Sequence, residues 1–342
     1  MSKTDTDVLV IGAGVVGLAV SYFFSKNNFR VILIEKEKKF GTGVSSRNTE
    51  VIHAGIYYKK NSLKGSLCIR GKNLLYEHCK KYNVPHKQIG KFFIINDEEN
   101  YTVLERINKQ AKENGVMDLK HYSFNDIKKL EPLLHVKSAL FSPDSGIIDS
   151  HAYMESLLKL SEDNGTTFSP FSIFLDAEFN LNKWIVKLGG RDSSKITSNI
   201  VINAAGLDSV EISKKINSSP KIPEENFAKG EYLRYSGKAP FRHIVYPALI
   251  PGKILERVDA TPDLWGSLRF GPSLQYIKSK SDFNVSSELI NRFVPAIKKY
   301  FPKLDEKKLN LDIAGIRPKI KTTNLESEDF KFEWGINRGW LD

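Results

Sequence analysis

The sequence predicts an α/β fold that is accompanied by a second, α+β domain. Three observations support the α/β part: an apolar run without alternation at residues 8–11, a glycine pattern directly after it, and a second apolar run at Val31–Ile34 that ends in Glu35. Apolar runs of this kind are typical of parallel strands that are covered on both faces. Together the three observations indicate a Rossmann-like domain, and 342 residues are enough for a second domain beside it.

The glycine pattern is Gly12-Ala13-Gly14-Val15-Val16-Gly17, which has the spacing of a dinucleotide-binding turn. Gly12 allows the tight turn, Gly14 lets a pyrophosphate approach the backbone, and Gly17 lets the following helix pack closely on the strand. The helix N-terminus then offers N–H groups to an anion. We therefore predict an ADP-containing cofactor at Gly12, Gly14, Val16 and Gly17, with the Glu35 carboxylate accepting hydrogen bonds from its ribose. An ordinary glycine-rich turn is the simpler alternative.

The other predicted elements follow along the chain. The helix after the glycines is expected to have one apolar side made of Val16, Ala19, Val20, Phe23 and Phe24. Further helices are predicted at residues 63–82, 101–114, 124–130, 150–164 and 288–299, and strands at 91–96, 139–141, 167–175, 184–188, 199–204, 231–235, 244–246 and 267–270. The later strands suggest a mostly antiparallel sheet in the second domain.

The composition limits the possible functions. The formal net charge of +11 invites a nucleic-acid or acidic-membrane interpretation, but the lysines are scattered among Asp, Glu and Asn and form no stripe. We therefore expect no nucleic-acid partner. The basic surface agrees with attraction of an anionic substrate and with peripheral association at the inner face of a membrane.

The two cysteines, Cys68 and Cys79, have no metal-ligand spacing, so no metal site is predicted. The N-terminus has no basic region followed by a long apolar segment, and no apolar run has the length of a membrane span. The expected location is the cytoplasm.

Residues 45–58, SSRNTEVIHAGIYY, concentrate small hydroxyl side chains, an amide, a histidine and two tyrosines. After a dinucleotide turn, this composition makes Ser45, Ser46 and Asn48 candidate cofactor ligands. A second strand–turn–helix, Asn203-Ala204-Ala205-Gly206, places the backbone of Ala205 and Gly206 where phosphates or a sugar chain would bind. From the residues alone, Asn203–Gly206 could equally well be an ordinary strand–turn–helix that binds no ligand.

These motifs, with KGEYLRY (229–235), RFGPSLQYI (269–277) and AGIRPKI (314–320), resemble the D-amino-acid-oxidase-type superfamily of FAD-dependent oxidoreductases. Within it, the chain is most similar to the L-2-hydroxyglutarate dehydrogenase/oxidase family, and the resemblance covers nearly the whole chain. It implies FAD as cofactor and an oxidation of L-2-hydroxyglutarate, or a similar short 2-hydroxy acid, to the 2-oxo acid by hydride transfer to the flavin. The implied electron acceptor is oxygen or a quinone. Lys36 joins the implied cofactor-binding residues.

Histidine suits the base that takes the hydroxyl proton, because its unperturbed pKa lies near physiological pH. His53 is the first candidate because it lies in a motif, and His243 is the second. The Arg317 guanidinium suits a substrate carboxylate, and Tyr246 is a candidate helper. A structural salt bridge for Arg317 and a packing role for the tyrosine are the alternatives.

The resemblance implies a discontinuous FAD-binding domain at residues 1–85, 140–216 and 305–342, and a substrate domain at 86–139 and 217–304. Two departures stand out. The histidine that the family has after its YP element is missing from residues 252–258, and the chain stops where relatives continue with a glycine-rich strand–turn–helix. The second departure predicts that the last flavin-binding element is lacking. An oxidase or dehydrogenase of an amino acid or of glycerol phosphate, or a non-catalytic flavoprotein fold, therefore stay open as alternatives.

Overall fold

The computed structural model describes residues 4–97, 100–191, 193–216, 224–249, 257–320, 329–334 and 339–342. The helices in this part of the chain are α1 (Val15–Lys26), α2 (Leu63–Tyr82), α3 (Tyr101–Glu113), α4 (Phe124–Leu130), α5 (Ser150–Asp163), α6 (Ser209–Lys214) and α7 (Leu289–Tyr300). The strands are β1 (Thr6–Ile11), β2 (Val31–Ile34), β3 (Val51–Ile52), β4 (His86–Lys87), β5 (Lys91–Ile95), β6 (Lys120–Ser123), β7 (Ser138–Ser142), β8 (Gly146–Ile148), β9 (Thr167–Ser169), β10 (Ser172–Asn180), β11 (Lys183–Gly190), β12 (Ser194–Asn203), β13 (Glu225–Tyr235), β14 (Ile244–Pro247), β15 (Ala260–Pro262), β16 (Leu268–Phe270), β17 (Gln275–Ile277), β18 (Leu309–Ile320) and β19 (Trp340–Leu341).

The first sheet has the predicted Rossmann-like arrangement. Its strands are ordered β10-β11-β12-β1-β2-β9, and β19 also pairs with β12. The pairs β12–β1, β1–β2 and β2–β9 are parallel, while β10, β11 and β12 form an antiparallel meander. The apolar run of β1 is central, which explains why its residues do not alternate with polar ones. The carboxyl ends of β1, β2 and β12 therefore meet at one edge of the sheet.

Helix α1 packs on this sheet with a face that differs from the predicted one. Its buried residues are Gly17, Leu18, Ser21 and Ser25, whereas Val16 and Phe23 are 62% and 63% exposed. Of the predicted apolar side, Ala19, Val20 and Phe24 are partly buried against the core, whereas Val16 and Phe23 lie outside it. The small residues of the helix lie four positions apart and let α5, β1 and β2 approach its backbone closely.

The second sheet is mostly antiparallel, as predicted. Its strands are ordered β17-β13-β16-β15-β14-β5-β7-β6, and β18 pairs with β13 along most of its length. One parallel pair, β5–β14, occurs in its middle. The segment GIRPK (315–319) lies within β18. Because β18 pairs with β13, residues 309–320 belong to this sheet, and the predicted domain bounds stay a proposal.

The two faces of the second sheet have different surroundings. One face packs on α4 and α7 in a core that includes Phe92, Val245, Val258, Ala260 and Phe293. The opposite face packs on α3 and on residues 54–57 through Phe93, Ile244 and Tyr246, together with Leu104 and Ile107. Successive residues of an extended segment point to opposite faces of a sheet. Residues that alternate in sequence with those of the first core therefore project from the opposite face. That side carries the candidate active site.

Most predicted helices and strands are confirmed within one or two residues, including α2 and α4 at their predicted bounds. Helix α5 begins with Asp149 as its N-cap, whose carboxylate accepts a hydrogen bond from the Ala152 N–H at 2.9 Å. The predicted domain crossing at residues 217–225 lies mainly outside the described residues, as does most of the departing stretch 252–258. None of the helices in the described part of the chain combines the length and apolarity needed to cross a membrane.

Candidate active site

The glycine turn after β1 has no room for side chains. A Cβ on Gly17 would lie 1.9 Å from the carbonyl oxygen of Gly12, and a Cβ on Gly12, whose φ is +98°, would lie 2.7 Å from the Ala204 oxygen. Gly14 is the N-cap of α1 and provides no side-chain cap. A Cβ there would meet only the Ser45 hydroxyl, at 3.2 Å. The first turn of α1 therefore begins at the edge of the parallel strands and presents its N–H groups to an anion.

The two charged residues after β2 have different partners. The Glu35 carboxylate accepts hydrogen bonds from the N–H groups of Ala13 at 2.8 Å and Glu37 at 2.9 Å. These bonds fix it beside the glycine turn, and its remaining lone pairs are suited to ribose hydroxyls. Lys36 Nζ instead forms an ion pair with Asp208 Oδ2 at 2.6 Å, in the turn that follows β12.

The segment after the glycine turn is held by its own polar side chains. The Ser45 hydroxyl accepts a hydrogen bond from the Val15 N–H at 3.0 Å, so Ser45 lies directly at the N-terminus of α1. The Asn48 amide donates to the Ser45 carbonyl at 2.8 Å and accepts from the Glu50 N–H at 2.7 Å. The Ser46 hydroxyl donates to carbonyls of the preceding turn. Ser46 and Asn48 therefore shape the segment that carries Ser45.

The second predicted turn lies against the first. A Cβ on Gly12 would lie 3.0 Å from the Ala205 Cα, while Gly206 has a φ of +59° and open space beside it. The structure therefore brings Gly12, Gly14, Gly17, Glu35, Ser45, Ala205 and Gly206 to one edge of the first sheet. Val16 is also at this edge and exposed.

His53 follows β3 and is exposed to solvent. It lies near two cations, Lys91 and Arg257. Partial desolvation, together with these positive charges, lowers the pKa of His53. The imidazole is consequently neutral at physiological pH, so it can accept a proton.

A charged cluster lies on the same side of the second sheet. Because Val258 and Ala260 pack in the core with α7, the alternate residues Arg257 and Asp259 project from the opposite face. The Arg257 guanidinium donates to both carboxylate oxygens of Asp259, from Nε at 2.6 Å and from a terminal nitrogen at 2.9 Å. This fork geometry makes the pair a strong, charge-assisted interaction.

Lys91 begins β5 beside this pair. Its side chain is 1% exposed, and Nζ lies 4.6 Å from the centroid of the Tyr246 ring and 5.1 Å from that of Phe93. Desolvation and the neighbouring Arg257 lower the pKa of Lys91 to about 7. Sequence reasoning missed Lys91, Arg257 and Asp259. The available signal was a lysine at the start of the apolar strand KFFII.

Tyr246, a predicted helper, contacts both cations through its ring. The Arg257 guanidinium carbon is 4.7 Å and Lys91 Nζ 4.6 Å from the ring centroid. Burial raises the pKa of Tyr246, and the Asp259 carboxylate adds to this shift. Tyr57 lies close by, with Arg257 5.7 Å from its ring centroid, and burial raises its pKa too. Both phenols are therefore neutral.

Arg317 projects from β18 at the rim of the same region and is exposed. Its side chain lies across Gly230, where a Cβ would be 2.8 Å from a guanidinium nitrogen. The Arg317 charge lowers the pKa of Asp259 and of Tyr232, although burial raises the pKa of each group overall. Arg317 is thus close enough to act in one site with the charged cluster.

His243, the second candidate base, lies elsewhere. Its Nδ1 is 2.6 Å from the Glu131 carboxylate, which also accepts the N–H groups of Arg242 and His243. Its ring packs against Phe92 and Phe141, on the face of the sheet opposite to Tyr246. His243 is therefore engaged by Glu131 and by core aromatic rings, and His53 is the candidate histidine that lies near Lys91 and Arg257.

Residues 7–332 match the protein family described as DAO, FAD dependent oxidoreductase. The chain belongs to this family. It is therefore an FAD-dependent oxidoreductase, as the resemblance implied, and the family match spans both sheets.

Individual relatives agree with this assignment. The chain is 34% identical over 371 residues to the mitochondrial L-2-hydroxyglutarate dehydrogenase of Arabidopsis thaliana, covering 96% of this chain and 76% of the relative. It is 27% identical over 351 residues to the glycerol 3-phosphate dehydrogenase of Caloramator mitchellensis, covering 98% and 68%. The fold superposes on dithionite-reduced L-α-glycerophosphate oxidase from Mycoplasma pneumoniae with FAD bound, with a TM-score of 0.87, 21% identity and coverage of 98% and 88%.

The residues at the edge of the first sheet fit FAD, the cofactor of this family. The turn excludes side chains at Gly12 and Gly17, the first turn of α1 lacks a side-chain cap at Gly14, and Glu35 is fixed at the end of β2. This is the arrangement that a pyrophosphate and an adenosine ribose require. Within the described residues, no group of three or more His, Cys, Asp or Glu side chains is arranged to bind a metal ion.

Proposed function

We propose that the protein oxidises L-2-hydroxyglutarate, or a similar short 2-hydroxy acid, to the 2-oxo acid. The observation that carries this proposal is the 34% identity to an L-2-hydroxyglutarate dehydrogenase over 96% of the chain. The geometry supports it, because a neutral histidine and three cationic side chains, those of Lys91, Arg257 and Arg317, lie in one region. A hydroxy acid requires a base for its hydroxyl proton and cations for its carboxylates.

FAD, when bound, supplies the redox chemistry by accepting the hydride that leaves the substrate carbon. In the proposed reaction, a ring nitrogen of His53 accepts the proton of the substrate hydroxyl. A bound carboxylate would offset the charges of Lys91 and Arg257 and so raise the pKa of His53 toward a value better suited to a base. Binding of an anionic substrate and activation of the base are thereby coupled.

Arg317 is proposed to bind the carboxylate next to the reacting carbon. Its guanidinium is exposed at the rim, and Gly230 leaves the space that its side chain occupies. A planar guanidinium can donate two parallel hydrogen bonds to a carboxylate and so fix the orientation of the substrate. Tyr246 is proposed to line the site as a neutral phenol, held beneath Lys91 and Arg257.

The cofactor residues are part of the same proposal. Gly12, Gly14, Val16 and Gly17 would face the pyrophosphate, Glu35 the ribose, and Ser45, Ala205 and Gly206 the remaining edge of the site. Lys36, Ser46 and Asn48 would support these residues through their own hydrogen bonds and ion pair. Segments 1–85, 140–216 and 305–342 are proposed to contribute to the cofactor domain, and 86–139 and 217–304 to the substrate domain.

The visible absorption spectrum tests the proposed function. The purified protein, loaded with FAD, is mixed without oxygen with L-2-hydroxyglutarate, with its D-enantiomer, and with glycerol 3-phosphate. We expect the flavin absorbance to bleach with L-2-hydroxyglutarate and to persist with the D-enantiomer. A flavin spectrum that stays oxidised with every short L-2-hydroxy acid would reject the substrate class while leaving the family assignment intact.

Oxidation of glycerol 3-phosphate is the second candidate. It is favoured by the relative that is 27% identical over 98% of this chain. The same cationic side chains could bind a phosphate in place of a carboxylate, because both are oxyanions. Bleaching by glycerol 3-phosphate, with none by a 2-hydroxy acid, would select this function.

We further propose that oxygen or a quinone re-oxidises the enzyme and that the protein works in the cytoplasm, with peripheral association at the inner face of a membrane. The net charge of +11 supports attraction to an anionic lipid surface. Sedimentation with vesicles containing anionic lipids, at low and high salt, tests the membrane contact. Comparison of turnover with oxygen and with a soluble quinone tests the acceptor.

A further inference from the structure

Lys91 is an unusual residue for a protein interior. It is among the largest side chains with less than 2% exposure, and the contacts found for its Nζ among the described residues are to aromatic rings. The ammonium group contacts the faces of the Tyr246 and Phe93 rings, with Nζ 4.6 and 5.1 Å from their centroids. Buried lysines are rare unless they are paired, because the charged form loses its hydration.

The groups around Lys91 do not supply the missing counter-charge. The Asp259 carboxylate has both oxygens engaged by Arg257, at 2.6 and 2.9 Å. Burial raises the pKa of the Cys68 thiol and of the Tyr57 and Tyr246 phenols, so these groups are neutral. His53 is neutral as well. Among the described charged groups that act on Lys91, the two cations Lys91 and Arg257 therefore share a single carboxylate, that of Asp259.

We propose that Lys91, next to the Arg257–Asp259 pair, is an anion subsite beneath His53 that binds the second carboxylate of a dicarboxylic substrate. The proposal rests on the proposed function and makes it more specific: Arg317 takes the carboxylate beside the reacting carbon, and Lys91 takes the distal one. A substrate with a single carboxylate would leave the Lys91 charge unpaired. Lys91 thus determines specificity for a dicarboxylate over a monocarboxylate of equal length.

A matched pair of ligands tests this subsite without any reaction. Glutarate and pentanoate have the same carbon chain, and only glutarate has a second carboxylate. Their dissociation constants are measured with the FAD-loaded protein by calorimetry and by the shift that they cause in the flavin spectrum. We expect the wild-type protein to prefer glutarate, and Lys91→Met to weaken glutarate binding by roughly 10- to 100-fold while leaving pentanoate binding unchanged.

Two further variants serve as controls. Lys187→Met removes a lysine of the β10–β11 hairpin whose ammonium group pairs with Asp176 at 3.2 Å and is 42% exposed at the side chain, so glutarate binding should not change. Lys91→Arg keeps the positive charge and should retain most of the preference for glutarate. Flavin content and thermal unfolding show whether each variant is folded.

A measurement on the wild-type protein avoids the need for a folded Lys91 variant. Because the pKa of Lys91 is lowered to about 7, an anion beside it should raise that pKa and cause proton uptake on binding near pH 7.5. The charged groups facing Lys91 are Arg257 and Asp259, and the pKa of Arg257 is raised by Asp259 in spite of burial. Calorimetry in two buffers of different ionisation enthalpy should show uptake with glutarate and none with pentanoate.

The outcomes separate this proposal from the proposed function. Equal binding of glutarate by the wild-type protein and Lys91→Met, or an absence of proton uptake, overturns the subsite even if L-2-hydroxyglutarate is oxidised. The protein could show a Lys91-dependent preference for glutarate and yet oxidise a dicarboxylic hydroxy acid other than L-2-hydroxyglutarate. That result would support the subsite and reject only the proposed substrate. If glycerol 3-phosphate binds in a Lys91-dependent way and glutarate does not bind, the group bound at Lys91 is a phosphate. The proposal that Lys91 binds a carboxylate would then be rejected.

Discussion

The Arg257 guanidinium and the Asp259 carboxylate form a two-pronged ion pair inside the protein, with nitrogen–oxygen distances of 2.6 and 2.9 Å. Their side chains are only 16% and 9% exposed. The pair lies between the aromatic faces of Tyr57 and Tyr246 and beside Lys91. Asp259 is therefore the carboxylate that compensates the cationic charge around Arg257 and Lys91.

Asp259→Asn should strongly destabilise the protein. The amide keeps the shape of the carboxylate but removes its charge, which leaves Arg257 buried without a counter-ion beside the ammonium of Lys91. Breaking a buried pair in this way costs about 3 to 5 kcal/mol. Urea unfolding of the FAD-loaded protein measures the change.

The matched control is Asp176→Asn. Asp176 pairs with Lys187 at 3.2 Å, with side chains that are 47% and 42% exposed. Exposed pairs contribute about 0 to 1 kcal/mol, so this variant should unfold nearly as the wild-type protein does. Equal stabilities of the two variants would show that the Arg257–Asp259 pair is not desolvated.

His53→Gln should slow substrate oxidation while leaving ligand binding in place. The glutamine side chain can hydrogen-bond but cannot take up the hydroxyl proton, and loss of a general base typically lowers a rate by roughly 10²- to 10⁴-fold. The rate of flavin bleaching by L-2-hydroxyglutarate without oxygen, in a rapid-mixing experiment, measures this step. Glutarate binding, measured separately, should be within a few-fold of the wild-type value.

His121→Gln is the control for that experiment, because His121 is exposed on β6 and stacks on Tyr101. Its rate should match that of the wild-type protein. If His53→Gln bleaches the flavin as fast as His121→Gln does, a different group takes the proton.

Gly17→Ala should prevent FAD loading. The added methyl group would lie 1.9 Å from the carbonyl oxygen of Gly12, so α1 must move away from the turn that faces the pyrophosphate. The ratio of flavin to protein absorbance after purification measures the loss. Gly71→Ala is the matched control, because a Cβ at this position of α2 meets nothing within 4 Å and raises helix propensity. Full flavin content in Gly17→Ala would contradict the close packing of α1 on β1.

Much of the fold could be predicted from the sequence because local patterns determine it. The apolar runs of β1 and β2, the glycines between them and the cap of α5 each act over a few residues. The apolar side predicted for α1 is only partly packed on the core, because Gly17, Ser21 and Ser25 are buried by close contact and not for their hydrophobicity. The pairing of β18 with β13 joins segments about 80 residues apart, which local patterns cannot reveal.

The candidate site was predicted only in part for a related reason. His53, Arg317 and the glycines lie in motifs that resemble a known family, so they could be named from the sequence. Lys91, at the start of β5, and Asp259, directly before β15, are far apart in the chain, and each looks like an ordinary charged residue beside an apolar run. Their role follows from the alternation that turns both toward one face of the second sheet.

The lowered pKa of Lys91 predicts how stability depends on pH. The pKa falls from 10.5 to about 7 in the folded protein. Between these values the unfolded chain binds a proton that the folded protein has released, so the free energy of unfolding should rise with pH. The slope is at most about 1.4 kcal/mol for each pH unit. Below pH 7 both states are protonated, and the cost of burying the charged ammonium is fully present.

Urea unfolding of wild-type protein and of Lys91→Met, at pH 6.5 and pH 9, isolates this contribution because every other titrating group is shared by the two proteins. Lys91→Met should be the more stable of the two at pH 6.5, since the methionine removes a desolvated charge, and the difference should shrink at pH 9. Lys187→Met, which removes an exposed lysine, should show the same pH dependence as the wild-type protein. A difference between wild-type and Lys91→Met that does not change with pH would mean that Lys91 keeps its proton up to pH 9. The ammonium would then need a permanent negative partner in the folded protein.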